Sequence, residues 1–172
     1  MPSTYTLISS NVLSTTAASV TFSAIPSTYT DLVLRISARN PDAVFGRELR
    51  YTFNNNTGSI YSYVQLSGSG TTAASTLGSS LAYGVLGSIN GGGTTANTFG
   101  SMEVYIPSYL ASANKPLSSY AVTELNSDVN NQIKIEADLF RSTTAISSIE
   151  LFLNSGNFDT GSSFYLYGIK NS

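Results

Sequence analysis

The chain has 172 residues and a mass of 18.2 kDa, with ten acidic and eight basic side chains and no His, Cys or Trp. These absences exclude a thiol nucleophile, Ser–His and Cys–His catalysis, and conventional zinc, haem or iron–sulfur ligation, while a net charge of −2 weighs against a nucleic-acid groove. Charged residues make up 10% of the chain where about 25% is usual, and 29 Ser and 19 Thr take up the polar share.

Read from the start, MPSTYTLISS has no basic region and no long apolar stretch, so no secretory leader is expected, nor a membrane span. Short strands are predicted at Tyr5–Ile8 and Val20–Phe22. Asp31–Arg39 alternates cleanly, with Leu32, Leu34, Ile36 and Ala38 on one face and Val33, Arg35, Ser37 and Arg39 on the other. After the turn Asn40-Pro41-Asp42, Leu49, Tyr51 and Phe53 alternate with Glu48, Arg50 and Thr52. Asn54-Asn55-Asn56 overlaps a formal glycosylation sequon and reads as a hairpin tip.

Further strands are predicted at Ile60–Leu66 and Leu81–Leu86, separated by Gly68-Ser69-Gly70, and Gly91–Gly93 marks the next break. No Gly-Lys-Ser/Thr follows that glycine run, so it is not a phosphate loop. Met102, Val104 and Ile106 alternate with Glu103 and Tyr105, and a single helical turn is allowed around Ser108–Asn114. Strands at Tyr120–Leu125 and Gln132–Arg141 follow. The second sets Ile133, Ile135, Ala137 and Leu139 against Lys134, Glu136, Asp138 and Phe140. Ile149–Leu153 and Phe164–Ile169 complete the series.

About ten short strands without a linker predict one all-β domain over residues 1–172. The expected form is an antiparallel β-sandwich of jelly-roll type, with a closed barrel as the competitor. Its terminal segments, Tyr5–Ile8 and Phe164–Ile169, are expected to lie close together.

Candidate chemistry is sparse. Arg35, Arg39, Arg47 and Arg50 hold half of the basic residues within sixteen positions, either as a patch for an acidic partner surface or as solvated ion pairs with groups such as Glu48. Asn126, Asp128 and Asn130 have the spacing of a calcium loop. Asn131 stands where that loop needs Gly and Ala137 where it needs Glu, so a plain Asx-rich turn without metal is expected. Tyr61 or Tyr63, Tyr105, Phe140 and Phe152 are candidate outward aromatics for sugar stacking. No carboxylate pair forms a glycosidase motif, and neither a catalytic nor a cofactor-binding residue is assigned.

TFSAIPSTYTDLVLRISAR (Thr21–Arg39) resembles small virion structural proteins of tailed phages, especially phages of cyanobacteria and marine bacteria. The likeness continues through LRYTFNNNTGSIYSYVQLSGSG (Leu49–Gly70) and EVYIPSYLASANKPLSSYAV (Glu103–Val122) to SGNFDTGSSFYLYGIK (Ser155–Lys170). The resemblance implies a non-enzymatic capsid decoration (cement) protein, made in the host cytoplasm and placed on the outer surface of the virion. It further implies the major capsid protein and further copies of itself, as a homotrimer, for partners, with no cofactor, nucleic acid or membrane. The alternative it leaves open is a tail or fibre component that recognises host carbohydrate.

Overall fold

The structure is a computed structural model and describes residues 4–123 and 132–170. The predicted Asn126–Asn130 turn lies outside the described residues. Among the described residues there are twelve strands and no helix. The first four are β1 (Tyr5–Val12), β2 (Ser19–Phe22), β3 (Asp31–Ala38) and β4 (Gly46–Phe53). The middle four are β5 (Tyr61–Ser69), β6 (Thr72–Leu81), β7 (Gly84–Asn90) and β8 (Gly100–Ile106). The last four are β9 (Lys115–Thr123), β10 (Gln132–Phe140), β11 (Ile149–Leu153) and β12 (Ser163–Ile169).

Eight of these strands form a nested ribbon. The antiparallel pairs are β1 with β12, β2 with β11, β3 with β8, and β4 with β7. Rolling that ribbon puts alternate pairs into opposite sheets, so β1-β12-β3-β8 faces β2-β11-β4-β7. This is the jelly-roll plan, and the sandwich reading holds. The terminal strands meet as expected, with Tyr5 opposite Ile169.

Two hairpins depart from the plan. β5–β6 is inserted between β4 and β7, and β9–β10 between β8 and β11. Both add to the free edge of β8, giving an eight-stranded sheet in the order β1-β12-β3-β8-β9-β10-β5-β6. We call these four strands the extension. Because β4 and β5 belong to different sheets, the Asn54–Asn56 turn is a crossing between sheets rather than a hairpin tip. Asn54 and Asn55 both take left-handed φ, 55° and 53°, which Asn tolerates better than most residues. Asn54 also clamps the crossing to Ser147 and Ser148, whose backbone N–H groups donate to its Oδ1 at 2.8 and 3.1 Å.

One core fills the space between the sheets, with Leu34, Val104 and Leu166 from the large sheet and Leu49, Ile149 and Leu151 from the small one. At the crossing end the Tyr61 hydroxyl accepts from the Phe53 backbone N–H at 3.0 Å and donates to the Asn56 carbonyl at 2.9 Å. Its ring packs on Phe140 and edge-on against Tyr51. Ser108–Asn114 is a tight turn rather than a helical one, held by one Ala111 N–H to Ser108 carbonyl bond of 2.9 Å. From it Lys115 turns inward, fully buried, and its Nζ donates to the carbonyls of Ala113, Thr144 and Ser142 at 2.6, 3.0 and 3.1 Å.

Candidate docking face

Side chains alternate across a sheet, so registered pairs define rows on one face. One outward row of the large sheet runs Ser10, Tyr165, Arg35, Glu103, Tyr120, Ile135, Leu66 and Ser75. The next runs Leu7, Tyr167, Val33, Tyr105, Ser118, Ala137, Val64 and Leu77. Leu7, Val64, Leu66, Tyr120 and Ile135 are each about half exposed, and Leu77 is 73% exposed. Apolar side chains scattered singly over a surface need no explanation, but a contiguous apolar sheet face does.

The face has two parts. Over the jelly-roll strands it is tyrosine-rich and holds one ion pair, Arg35 Nη2 to Glu103 Oε2 at 2.6 Å, with both side chains about half exposed. Tyr120, Tyr165 and Tyr167 border that pair in a shallow depression of about 630 Å³. Over the extension the face is aliphatic. Among the described residues, Val64, Leu66, Leu77, Ile133 and Ile135 share it with Ala, Ser, Gly and Tyr side chains, and no charged side chain stands in its rows. Its outer strand β6 is an open edge of ten residues whose side chains are nearly all exposed, with neither a charge nor a proline.

Directly beneath the aliphatic part the interior is polar. Glu136 and Asp138 project from β10 into the sandwich and are 1% and 3% exposed. Gln65 Nε2 donates to Glu136 Oε1 at 2.7 Å, and the Val85 backbone N–H to Asp138 Oδ1 at 3.1 Å. Glu136 Oε2, Asp138 Oδ2 and the Tyr51 hydroxyl are buried with no hydrogen-bond partner. Burial pushes the Glu136 carboxyl up to about 7, against the opposing pull of Gln65 and Lys134. Asp138 rises to about 8 through burial and then the neighbouring Glu136 charge. Strand β7 closes over this pair at a bulge, where Gly87 has φ 114° and an added Cβ would stand 2.6 Å from that of Ala121.

The four arginines do not form a patch. Arg35 alone reaches the outward face of the large sheet. Arg50 lies on the other sheet, paired with Glu48 at 2.7 Å and set 4.0 Å over the Tyr83 ring. Arg47 pairs with Asp42 at 3.1 Å. Arg39 corrects the expectation that it shares an exposed face with Arg35. It lies one residue past β3 and is 6% exposed. Its Nη1 donates to Thr94 Oγ1 and to the carbonyls of Thr95 and Thr98 at 2.8–3.0 Å, while Nε faces Asp159 at 3.9 Å. It is a buried staple for the loop between β7 and β8.

The aromatic candidates divide as well. Tyr61 and Phe140 are core residues, and Phe152 lies on the small sheet against Tyr83. Tyr105 does reach the outward face, where its hydroxyl donates to Asp31 at 2.9 Å. Tyr120, Tyr165, Leu66 and Leu77 were not singled out in the sequence. Their signal was available only as strand phase, and phase alone does not say which side is covered. No family model, curated protein or solved structure matches the chain.

Proposed function

We propose that the chain is a non-enzymatic virion structural protein, a capsid decoration protein that sits on the outer shell of a tailed phage. One observation carries the reading: an eight-stranded sheet turns a continuous apolar face, with isolated charge at one ion pair, toward solvent. Surfaces of this kind mark contact sites, and a protein lattice is the partner this reading assigns. On a shell the tyrosine-rich part would meet the major capsid protein, with Arg35 and Glu103 setting orientation. Many weak contacts repeated over a lattice would add up to bracing of the shell against internal pressure.

The test has two parts. Purified virions should contain hundreds of copies, and decoration-free shells should take up the purified chain. Tyr165→Asp, at a partly exposed position on β12, should fold normally and lower occupancy severalfold. A copy number near a dozen, or full occupancy by the variant, would refute the reading.

The depression around Arg35, Glu103 and Tyr165 favours a second reading, a carbohydrate-binding module of a tail or fibre. Tyrosine faces beside an acid and a base can stack on and hydrogen-bond to sugar hydroxyls. Retention on a host-glycan array that is lost in Tyr165→Ala would support it.

A further inference from the structure

The aliphatic half of the sheet face differs in kind from the tyrosine-rich half, and its chemistry points to a particular occupant. We propose that the outward face of the extension, β9-β10-β5-β6, is a self-association surface on which a second copy packs sheet against sheet about a two-fold axis. The inference rests on the docking role proposed for the face and assigns its aliphatic half a partner.

Three observations carry it. The first is electrostatic. A two-fold interface sets a patch against itself, so any charge near the axis meets its own copy. Among the described residues the four strands of this patch turn no charge outward, and the Arg35–Glu103 pair that adjoins it, with Glu103 opposite Tyr120 at its border, is neutral as a unit. A patch recognised by a chemically different surface would gain from charge, and this one offers nothing to steer such a partner.

The second observation is area. Strands β5, β9 and β10 have nine residues each, or about 30 Å, and four strands span roughly 19 Å. Two such faces bury about 1,150 Å² before side-chain relief is added, which passes the roughly 1,000 Å² expected of a specific interface. The third is β6. It pairs on one side only and its side chains bury almost nothing within the monomer, a poor arrangement for ten uncharged residues. A second sheet about 10 Å away would cover Leu77 and Leu66 as the sandwich interior covers its own strands. A two-fold pair would replace the threefold arrangement that the resemblance implies.

Sedimentation of the full chain at concentrations up to about 100 µM tests the proposal. Wild type should approach twice 18.2 kDa. Leu66→Lys and Leu77→Lys, both at exposed positions, should keep the thermal midpoint and weaken pairing at least tenfold, whereas Val12→Lys, exposed on β1 at the opposite edge of the sheet, should not. The lack of native Cys allows a second measurement. A single Leu66→Cys should react with maleimide more slowly in concentrated than in dilute solution, and Val12→Cys equally in both. A monomer, a trimer, or a dimer indifferent to both lysines would overturn the proposal. A monomer that still decorates shells removes the pairing and leaves the virion role intact; a dimer that never binds shells does the opposite.

Discussion

The jelly-roll strands and the extension share one sheet, yet their polarity runs in opposite senses. Followed across the inner face, a single row reads Leu166, Leu34, Val104 and then Ser119, Glu136, Gln65 and Thr76. The change from aliphatic to polar falls between β8 and β9, where the jelly roll ends. On the outer face the change is reversed, from Arg35 and Glu103 to Ile135 and Leu66. The jelly roll keeps its apolar groups inside. The extension buries two carboxylates and turns Val64, Leu66, Leu77, Ile133 and Ile135 outward.

The same kind of truncation should therefore have very different effects in the two regions. Leu151→Ala, in the fully buried middle of β11, should cost about 4 kcal/mol and lower the midpoint by more than 8 °C in a chain of this size. Leu66→Ala, 56% exposed in the extension, should change the isolated chain by less than about 0.5 kcal/mol. Equal losses by calorimetry would erase the contrast.

The next effect is a pH dependence that belongs to the extension. A carboxyl whose pKa is raised on folding holds its proton more tightly in the folded chain, so ionisation opposes folding. Each contribution is best at low pH and is lost as pH rises from the ordinary values, 4.5 for Glu136 and 3.8 for Asp138, to about 7 and about 8. Stability should fall by several kcal/mol between pH 5 and about pH 8 and level off above it. Glu136→Gln with Asp138→Asn should flatten that fall. An unchanged slope in the double variant would place the titration elsewhere.

Smaller effects separate two arginines four positions apart. Arg39→Ala removes the buried guanidinium donors that hold the 94–98 loop and strips its packing, so a loss of about 2 kcal/mol is expected. Arg35→Ala opens a solvent-exposed ion pair and should cost less than about 0.5 kcal/mol by chemical denaturation. Similar losses from both would mean that Arg35 is also structural.

What the sequence disclosed follows the same division. In β3 and β11 the apolar phase coincides with the buried phase, so alternation alone located both strand and core face. In β10 the alternation located the strand, but the natural assignment of Ile133 and Ile135 to the interior is reversed. They are 43% and 49% exposed, whereas Glu136 and Asp138 are buried. A period of two specifies two faces and not which of them is inside. Here the choice falls to Phe140, anchored against Tyr61 and Phe53, and to the Gln65 and Val85 donors that meet the acids.

Strand β6 was missed because Thr, Ala, Ser and Gly with both faces exposed leave no alternation to detect. The first half of β9 was missed because Lys115 and Pro116 carry no strand signal, although Lys115 is buried by carbonyls that come from distant parts of the chain. The docking face itself could not be read, since it depends on the order in which eight strands assemble.

The pairing of β1 with β12 bears on how the chain is made. β1 takes β12, the strand farthest from it in sequence, as its neighbour, and β2 likewise waits for β11. Loops this long close slowly, and among the described residues progress from pairs of consecutive strands helps only β5–β6, β8–β9 and β9–β10. While translation continues, the part of the protein able to form early is therefore β8 with the extension, whose aliphatic strands have no closed jelly roll beside them. On a polysome, where many nascent copies lie close together, that order of events would bring the uncovered strands of neighbouring chains into contact before either barrel-like roll has closed, so chaperone demand should peak just before the codons for β11 are read.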